Sequence, residues 1–132
     1  MIEPIPEDLV YLLTTNVLAH VSALRRDGSM AQYLMWVDYD GQHVLTSSFV
    51  GSRKARNWSR DPRVTLSVVD KSDDWRFLII RGRTIGTRPD EGLAFIDKMS
   101  MRYTAGPYRR RDAEREIFMI EPDWVRASRG RG

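Results

Sequence analysis

The stretch VLAHVSALRRDGSMAQYLMWVDYDGQHVLTSS, residues 17–48, decides how this chain folds. Its runs are rich in residues that suit strands, and they are separated by Asp27-Gly28 and Asp40-Gly41. Asp-Gly supplies the positive φ that tight hairpin turns require. The stretch therefore reads as three strands, Val17–Leu24, Met30–Tyr39 and His43–Ser48, paired as an antiparallel meander.

Working outward, residues 5–14 read as a short helix. Pro6 suits its first turn, Glu7 and Asp8 suit its positive end, and Leu9, Leu12 and Leu13 share a face. Downstream, Gly51–Arg60 reads as a basic helix stopped by Asp61-Pro62, with Ala55 and Trp58 turned to the core. Val64–Val69 alternates as a fourth strand, and Lys71-Ser72-Asp73-Asp74 follows as a polar loop. Arg76–Thr87 is a long fifth strand, whose Gly82 and Gly86 imply a bend or a close backbone approach. Pro89–Tyr103 reads as a helix capped by Thr87, with Leu93, Ile96, Met99 and Tyr103 along one face. An arginine-rich loop, Thr104–Glu114, leads to a sixth strand, Glu116–Val125. There Ile117 and Met119 face one side, and Phe118 and Ile120 the other. Residues 126–132 read as a frayed tail. The sum is an all-β fold with added helices: one domain, 1–132, built as a six-stranded antiparallel barrel, closed or partly closed.

Bulk properties narrow the function. The 132 residues are 42% apolar and 30% charged, as in an ordinary soluble domain with its own core. There is no cysteine, which excludes disulfides, thiolate metal sites and cysteine nucleophiles. The start, MIEPIPEDLVYLL, lacks the basic region of a secretory signal, and no stretch approaches the roughly 20 apolar residues of a spanning helix. The expected location is the cytoplasm, without a membrane partner. The net charge of +3 favours anionic ligands without choosing among them.

The basic helix is the first candidate site. Arg53, Lys54, Asn57 and Arg60 lie just beyond Ser47, Ser48 and Ser52. Free N–H groups, hydroxyls and cations in that order could cradle a phosphate; a solvated basic surface helix fits the same spacing. Trp36 and Trp75 could stack on a planar ligand or serve packing. Tyr108-Arg109-Arg110-Arg111 could bind phosphate or another polyanion, but reads rather as a solvated loop or one paired with Asp112, Glu114 and Glu116. His20 reads as a core or barrel-lining residue, and neither it nor His43 has the partners of a metal site. No catalytic residue stands out. A bound cofactor would then carry the hard chemistry.

Five blocks carry a family resemblance: LAHVSALRRDGS (18–29), MWVDYDG (35–41), SRKARNWSRDPRVTLSVVD (52–70), FLIIRGR (77–83) and KMSMRYTAGPYRRR (98–111). In order and spacing they resemble the pyridoxamine-phosphate-oxidase-like, FMN-binding split barrels, and within them the branch that uses the deazaflavin coenzyme F420. The resemblance implies a homodimer with coenzyme at the subunit interface. It implies that Gln32, Tyr33, Leu34, Met35 and Trp36 line the deazaflavin ring. Ser47 and Ser48 would lie near the ribityl and phosphate groups. Arg53 and Lys54 would hold the phosphate, with Asn57 nearby. Lys71 and Ser72 would come from the neighbouring groove or the second subunit, and Trp75 and Tyr108 would border the ring. Two positions depart from the usual pattern: Leu34 stands where proline is frequent, and Ser52 where arginine is.

The implied activity is hydride transfer between F420 and a planar conjugated small-molecule acceptor, with solvent left as proton donor. FMN in the same barrel is the first alternative. A non-catalytic barrel that stores a coenzyme or binds nucleic acid is the second, although no aromatic-interleaved basic motif supports nucleic acid.

Overall fold

The computed structural model describes residues 2–130. A 3-10 turn at Glu7–Leu9 and the single turn α1 (Tyr11–Thr14) open the chain. Then come β1 (Ala19–Leu24), β2 (Met30–Met35), β3 (Val37–Tyr39), β4 (Val44–Phe49), α2 (Arg53–Arg60), β5 (Arg63–Asp70) and β6 (Asp73–Pro89). A 3-10 turn at Glu91–Leu93, α3 (Ala94–Thr104) and β7 (Arg115–Arg129) complete it. The strands form one antiparallel sheet in the order β2-β1-β5-β6-β7-β4-β3.

Both Asp-Gly turns form, with Gly28 at φ 85 and Gly41 at φ 95. The expected strand Met30–Tyr39, however, breaks at Trp36. Its first half pairs with β1, from Ala19↔Met35 to Leu24↔Met30, and its second half only with β4, from Val37↔Thr46 to Tyr39↔Val44. The meander thus survives as two separate hairpins. The physical reason is curvature. The two edge strands of the sheet are joined by Trp36 alone, so the sheet curls back on itself. Counted as one bent strand, Met30–Tyr39 gives the expected six; as two, it gives seven.

Two apolar clusters lie on opposite faces of the same strands. The main one fills the curl with fully buried Val21, Val37, Val44, Leu66, Leu78, Ile80 and Ile120, to which α1 adds Leu12 and Leu13. Each such side chain stabilises by about 1.5–3 kcal/mol on burial. Trp58 of α2 packs edge-on against Phe118, with centroids 4.9 Å apart. The second cluster joins Leu45 and Ile117 to Phe95, Ile96 and Met99 of α3. The alternation expected along β7 is what divides the two: Phe118 and Ile120 face the first, Ile117 and Met119 the second.

Several boundaries differ from expectation. Residues 5–14 are a 3-10 turn and one α-turn rather than one helix. The helix expected from Pro89 begins at Ala94, because Gly92 (φ 62) and Leu93 (φ 60) are left-handed. Thr87 lies in β6 and caps nothing. Asp90 does, accepting from the Phe95 and Ile96 amides at 2.8 and 3.0 Å. The polar loop shrinks to Lys71-Ser72, since Asp73 and Asp74 join β6. Arg126–Arg129, expected in a frayed tail, continue β7 because β6 is long enough to pair with them (Arg76↔Arg129). Residues 131 and 132 of that tail lie outside the described residues. Gly82 is a site of close approach: a Cβ there would stand 2.0 Å from the Glu121 carbonyl oxygen. Among the described residues, no helix is long and apolar enough to cross a membrane.

Candidate functional site

A cavity of about 280 Å³ opens beside the Trp36 bend. Leu34, Met35 and Trp36 form one wall, and Ser47, Ser48 and Phe49 of β4 another. Phe95, Ile96 and Met99 of α3 close a third side, and Lys54, Tyr108 and Arg115 stand at its cationic part.

The Trp36 wall is braced by aromatic contacts. Its indole stacks on Tyr103 at 5.3 Å and 11° and meets Tyr108 edge-on at 6.3 Å and 86°. The Tyr103 hydroxyl donates to the Val17 carbonyl at 2.8 Å and accepts from the Val37 amide at 3.3 Å. The Trp36 carbonyl accepts from Thr46 Oγ1 at 2.9 Å.

Lys54 is set by the start of α2. Ser52 is the N-cap, accepting from the Ala55 amide at 3.2 Å, and Ser48 Oγ donates to Ser52 Oγ at 2.8 Å. The ammonium then lies 4.9 Å from the Tyr33 ring centroid. Burial, with repulsion from Arg115 second, holds the Lys54 pKa below its ordinary value.

Arg115 begins β7 and is only 8% exposed. Its Nε donates to Ser47 Oγ at 3.1 Å and its Nη1 to the Tyr108 hydroxyl at 3.3 Å. The guanidinium lies over Phe49 at 4.5 Å and Tyr108 at 5.0 Å. Burial lowers its pKa, against smaller opposing effects of Tyr108 and Asp90. Among the described residues no carboxylate or histidine lines the cavity. The arrangement can hold a ligand with a flat apolar part and an anionic group; it offers no carboxylate–histidine acid–base pair.

Of the residues expected at the site, Leu34, Met35, Trp36, Ser47, Ser48 and Lys54 come together. Tyr33 and Asn57 stand behind Lys54: Asn57 Nδ2 donates to the Tyr33 hydroxyl at 3.3 Å, and Asn57 Oδ1 accepts from Arg60 at 3.0 Å. Gln32 and Arg53 are exposed and do not line the cavity. Lys71, in the β5–β6 turn, and Trp75, near the start of β6, also lie away from it. His20 is exposed on β1 rather than in the core or the barrel lining, because it falls on the outward phase of the strand.

The arginine-rich loop pairs differently from expectation. Arg110 reaches Asp112 at 3.3 Å, but Arg111 turns to Asp97, at 2.8 and 3.0 Å. Among the described residues, neither Glu114 nor Glu116 pairs with an arginine of this loop. Sequence reasoning missed Arg115. The available signal was phase: Arg115 shares the face of Ile117 and Met119, where a charge is out of place.

A family model described as pyridoxamine 5'-phosphate oxidase matches residues 5–129. Among solved structures, the chain is similar to one named F420 Reductase, at 30% identity and a TM-score of 0.83, covering 92% of this chain and 98% of that one. It is similar in fold to a conserved hypothetical protein of Mycobacterium tuberculosis (20% identity, TM-score 0.74, 98% and 88% covered). General Stress Protein 26 of Bacillus anthracis shares the fold too (16% identity, TM-score 0.70, 92% of each chain covered). None of the curated proteins matches the chain in sequence.

Proposed function

The chain belongs to the pyridoxamine 5'-phosphate oxidase family, and from that premise we propose that it is an oxidoreductase binding the deazaflavin coenzyme F420. The observation that carries the reading is the cavity itself: an apolar wall at Leu34–Trp36 beside hydroxyls and two cations. A flat ring bearing a phosphate fits that chemistry. Deazaflavin is favoured over FMN by the likeness to the F420 Reductase over nearly its whole length.

When bound, the reduced ring supplies a hydride for a planar conjugated acceptor. The protein's part is to bind, orient and exclude water. Trp36, held by Tyr103, presents a flat face, and Met35 and Leu34 extend it. Lys54 and Arg115 take the phosphate through charge-assisted hydrogen bonds. Phe95, Ile96 and Met99 keep the far side dry. Among the described residues the lining carries no carboxylate or histidine, and this reading leaves the proton to solvent.

The proposed working form is a cytoplasmic homodimer with coenzyme at the interface. A volume of about 280 Å³ is small for a whole coenzyme. In this reading a second copy completes the groove, and the exposed Leu34 (62%) and Trp75 (51%), with exposed Gln32 and Lys71, are the proposed contact residues.

Side-by-side titration of the purified protein with F420 and FMN, followed by absorbance and fluorescence, tests the reading. Saturable F420 binding that exceeds FMN binding is expected. Saturable FMN binding without F420 binding would replace the coenzyme, and binding of neither would overturn the proposal.

A further inference from the structure

The chain leaves α3 through a left-handed residue, Ala105 (φ 61), and Gly106-Pro107 follow it. It then returns to the same helix. The Tyr108 amide donates to Asp97 Oδ1 at 3.1 Å, and Arg111 grips both Asp97 oxygens, at 2.8 and 3.0 Å. Between these two attachments lies a second cavity, of about 630 Å³, against Trp36. Ser100 and Thr104 line it from α3, and Pro107, Tyr108 and Arg109 from the loop. Its volume falls in the range of small-molecule sites.

This cavity and the first share two residues, Trp36 and Tyr108. Trp36 is fixed by its stack on Tyr103. Tyr108 belongs to the loop and meets Trp36 only edge-on, at 6.3 Å. Ligands in the two cavities would therefore be neighbours, and they touch once Tyr108 swings aside. That is the proximity a transfer between two molecules needs.

The lining says what the second cavity takes. Trp36, Tyr108 and Pro107 offer flat surfaces. The hydroxyls are already spent on the backbone: Ser100 Oγ donates to the Gly106 carbonyl at 2.6 Å, and Thr104 Oγ1 to the Ser100 carbonyl at 2.7 Å. Among the described residues no carboxylate lines the cavity. Of the three loop arginines, Arg111 is bound to Asp97 and Arg110 to Asp112. Arg109 remains, exposed, with no hydrogen bond or ion pair among the described residues. A free guanidinium fork beside flat surfaces suits a conjugated molecule with a planar or branched oxyanion.

We infer that this second cavity is the acceptor site, and that it takes flat conjugated molecules bearing a carboxylate or sulfonate, whose charge Arg109 reads. Calling the ligand an acceptor rests on the function proposed above; the binding of a flat anion does not.

Anilinonaphthalene sulfonate is the direct probe, followed by its fluorescence, with phenylnaphthylamine as the same ring system without the charge. The wild type should bind the sulfonate, and Arg109→Gln should weaken that binding at least about fivefold while the neutral probe binds as before. Thr104→Phe, which fills the cavity, should exclude both; should it fail to fold, Pro107→Trp on the exposed loop serves instead. A wild type that ignores the sulfonate would overturn the inference. So would full sulfonate affinity in Arg109→Gln, an equal loss of both probes there, or undiminished binding in a folded, filled variant.

Quinone pairs then test the role. Naphthoquinone sulfonate and plain naphthoquinone are offered to the protein with reduced F420. There the quinone takes up a hydride from the reduced coenzyme and a proton from solvent, and leaves as the hydroquinone. Arg109→Gln should raise KM for the sulfonated quinone and leave its kcat, and both constants of the plain quinone, in place. An unmoved KM for the sulfonated quinone would overturn the acceptor assignment. Sulfonate binding through Arg109 in a protein that takes neither F420 nor FMN would uphold the anion site and overturn the proposed function.

Discussion

The indole of Trp36 and the ring of Tyr103 lie 5.3 Å apart and nearly parallel, at 11°. The stack fixes the bend at which one edge of the sheet becomes the other. The hydroxyl at the end of Tyr103 reinforces it by bridging Val17 O and Val37 N.

Tyr103→Phe keeps the stack and strands the Val37 amide. A loss of about 1–3 kcal/mol is expected in denaturant unfolding, the cost of an unmet buried polar group. Tyr103→Ala should cost more, since the ring contact goes too. Wild-type stability in Tyr103→Phe would show that the bridge is idle.

Asp38 is buried and receives both Lys98 Nζ, at 2.9 Å, and Arg102 Nη2, at 3.1 Å. Asp38→Ala leaves the mostly buried Arg102 without its carboxylate, with only the Val37 carbonyl and Met99 sulfur still accepting from it, and should cost about 3 kcal/mol. Lys98→Ala removes an exposed partner and should cost less than about 1 kcal/mol. Equal effects in chemical denaturation would contradict this ranking.

Gly82→Ala should be among the most damaging conservative changes, because the added carbon meets backbone, the Glu121 carbonyl, rather than a movable side chain. The expected loss is about 3 kcal/mol or more. Gly106→Ala, where nothing lies within 4 Å, is the control and should be tolerated. Similar melting temperatures for the two variants would refute the close approach.

The Arg63 guanidinium lowers the Asp61 pKa from 3.8 to about 2 through paired hydrogen bonds of 3.0 and 2.7 Å. The native carboxyl is thus a stronger acid than the unfolded one. Its contribution to stability is complete above the unfolded value of 3.8 and disappears as pH falls through about 2. In an NMR titration, Arg63→Ala should return Asp61 toward its ordinary midpoint; an unmoved midpoint would exclude Arg63 as the cause.

Lys54→Ala should weaken coenzyme binding by about 1–3 kcal/mol. Because the Lys54 pKa is already lowered, coenzyme affinity in the wild type should fall as pH rises through it, and this pH dependence should vanish in the variant. Calorimetric titration over pH measures both. An unchanged dissociation constant in folded Lys54→Ala would remove Lys54 from the site.

Local chemistry made much of the architecture legible. The Asp-Gly pairs needed positive φ at Gly28 and Gly41, and both turns sit where the residues required them. Trp58 and the Ile96–Met99 face announced their burial by spacing. The break at Trp36 could not be read, because the apolar run Tyr33–Val37 passes through it with no turn residue, and only closure of the sheet demands the bend. Asp90 was hidden as a cap, since two left-handed residues separate it from the helix it serves. At the site, Lys54 and the serines were found through their closeness in sequence. Arg115 is remote from them along the chain and stands just past a run of arginines that face solvent or pair locally. Only the pairing of β7 with β4, Phe49↔Arg115, carries it inward.

That pairing sets an order of events during synthesis. The Trp36 bend and Lys54 leave the ribosome early, but the guanidinium belongs to the final strand. A nascent chain therefore has a ring-sized wall and no anchor until β7 docks. On the proposed function, ligand can reward only a barrel in which β7 has docked, so cellular coenzyme supply would govern how long completed molecules persist, not how quickly incomplete ones form.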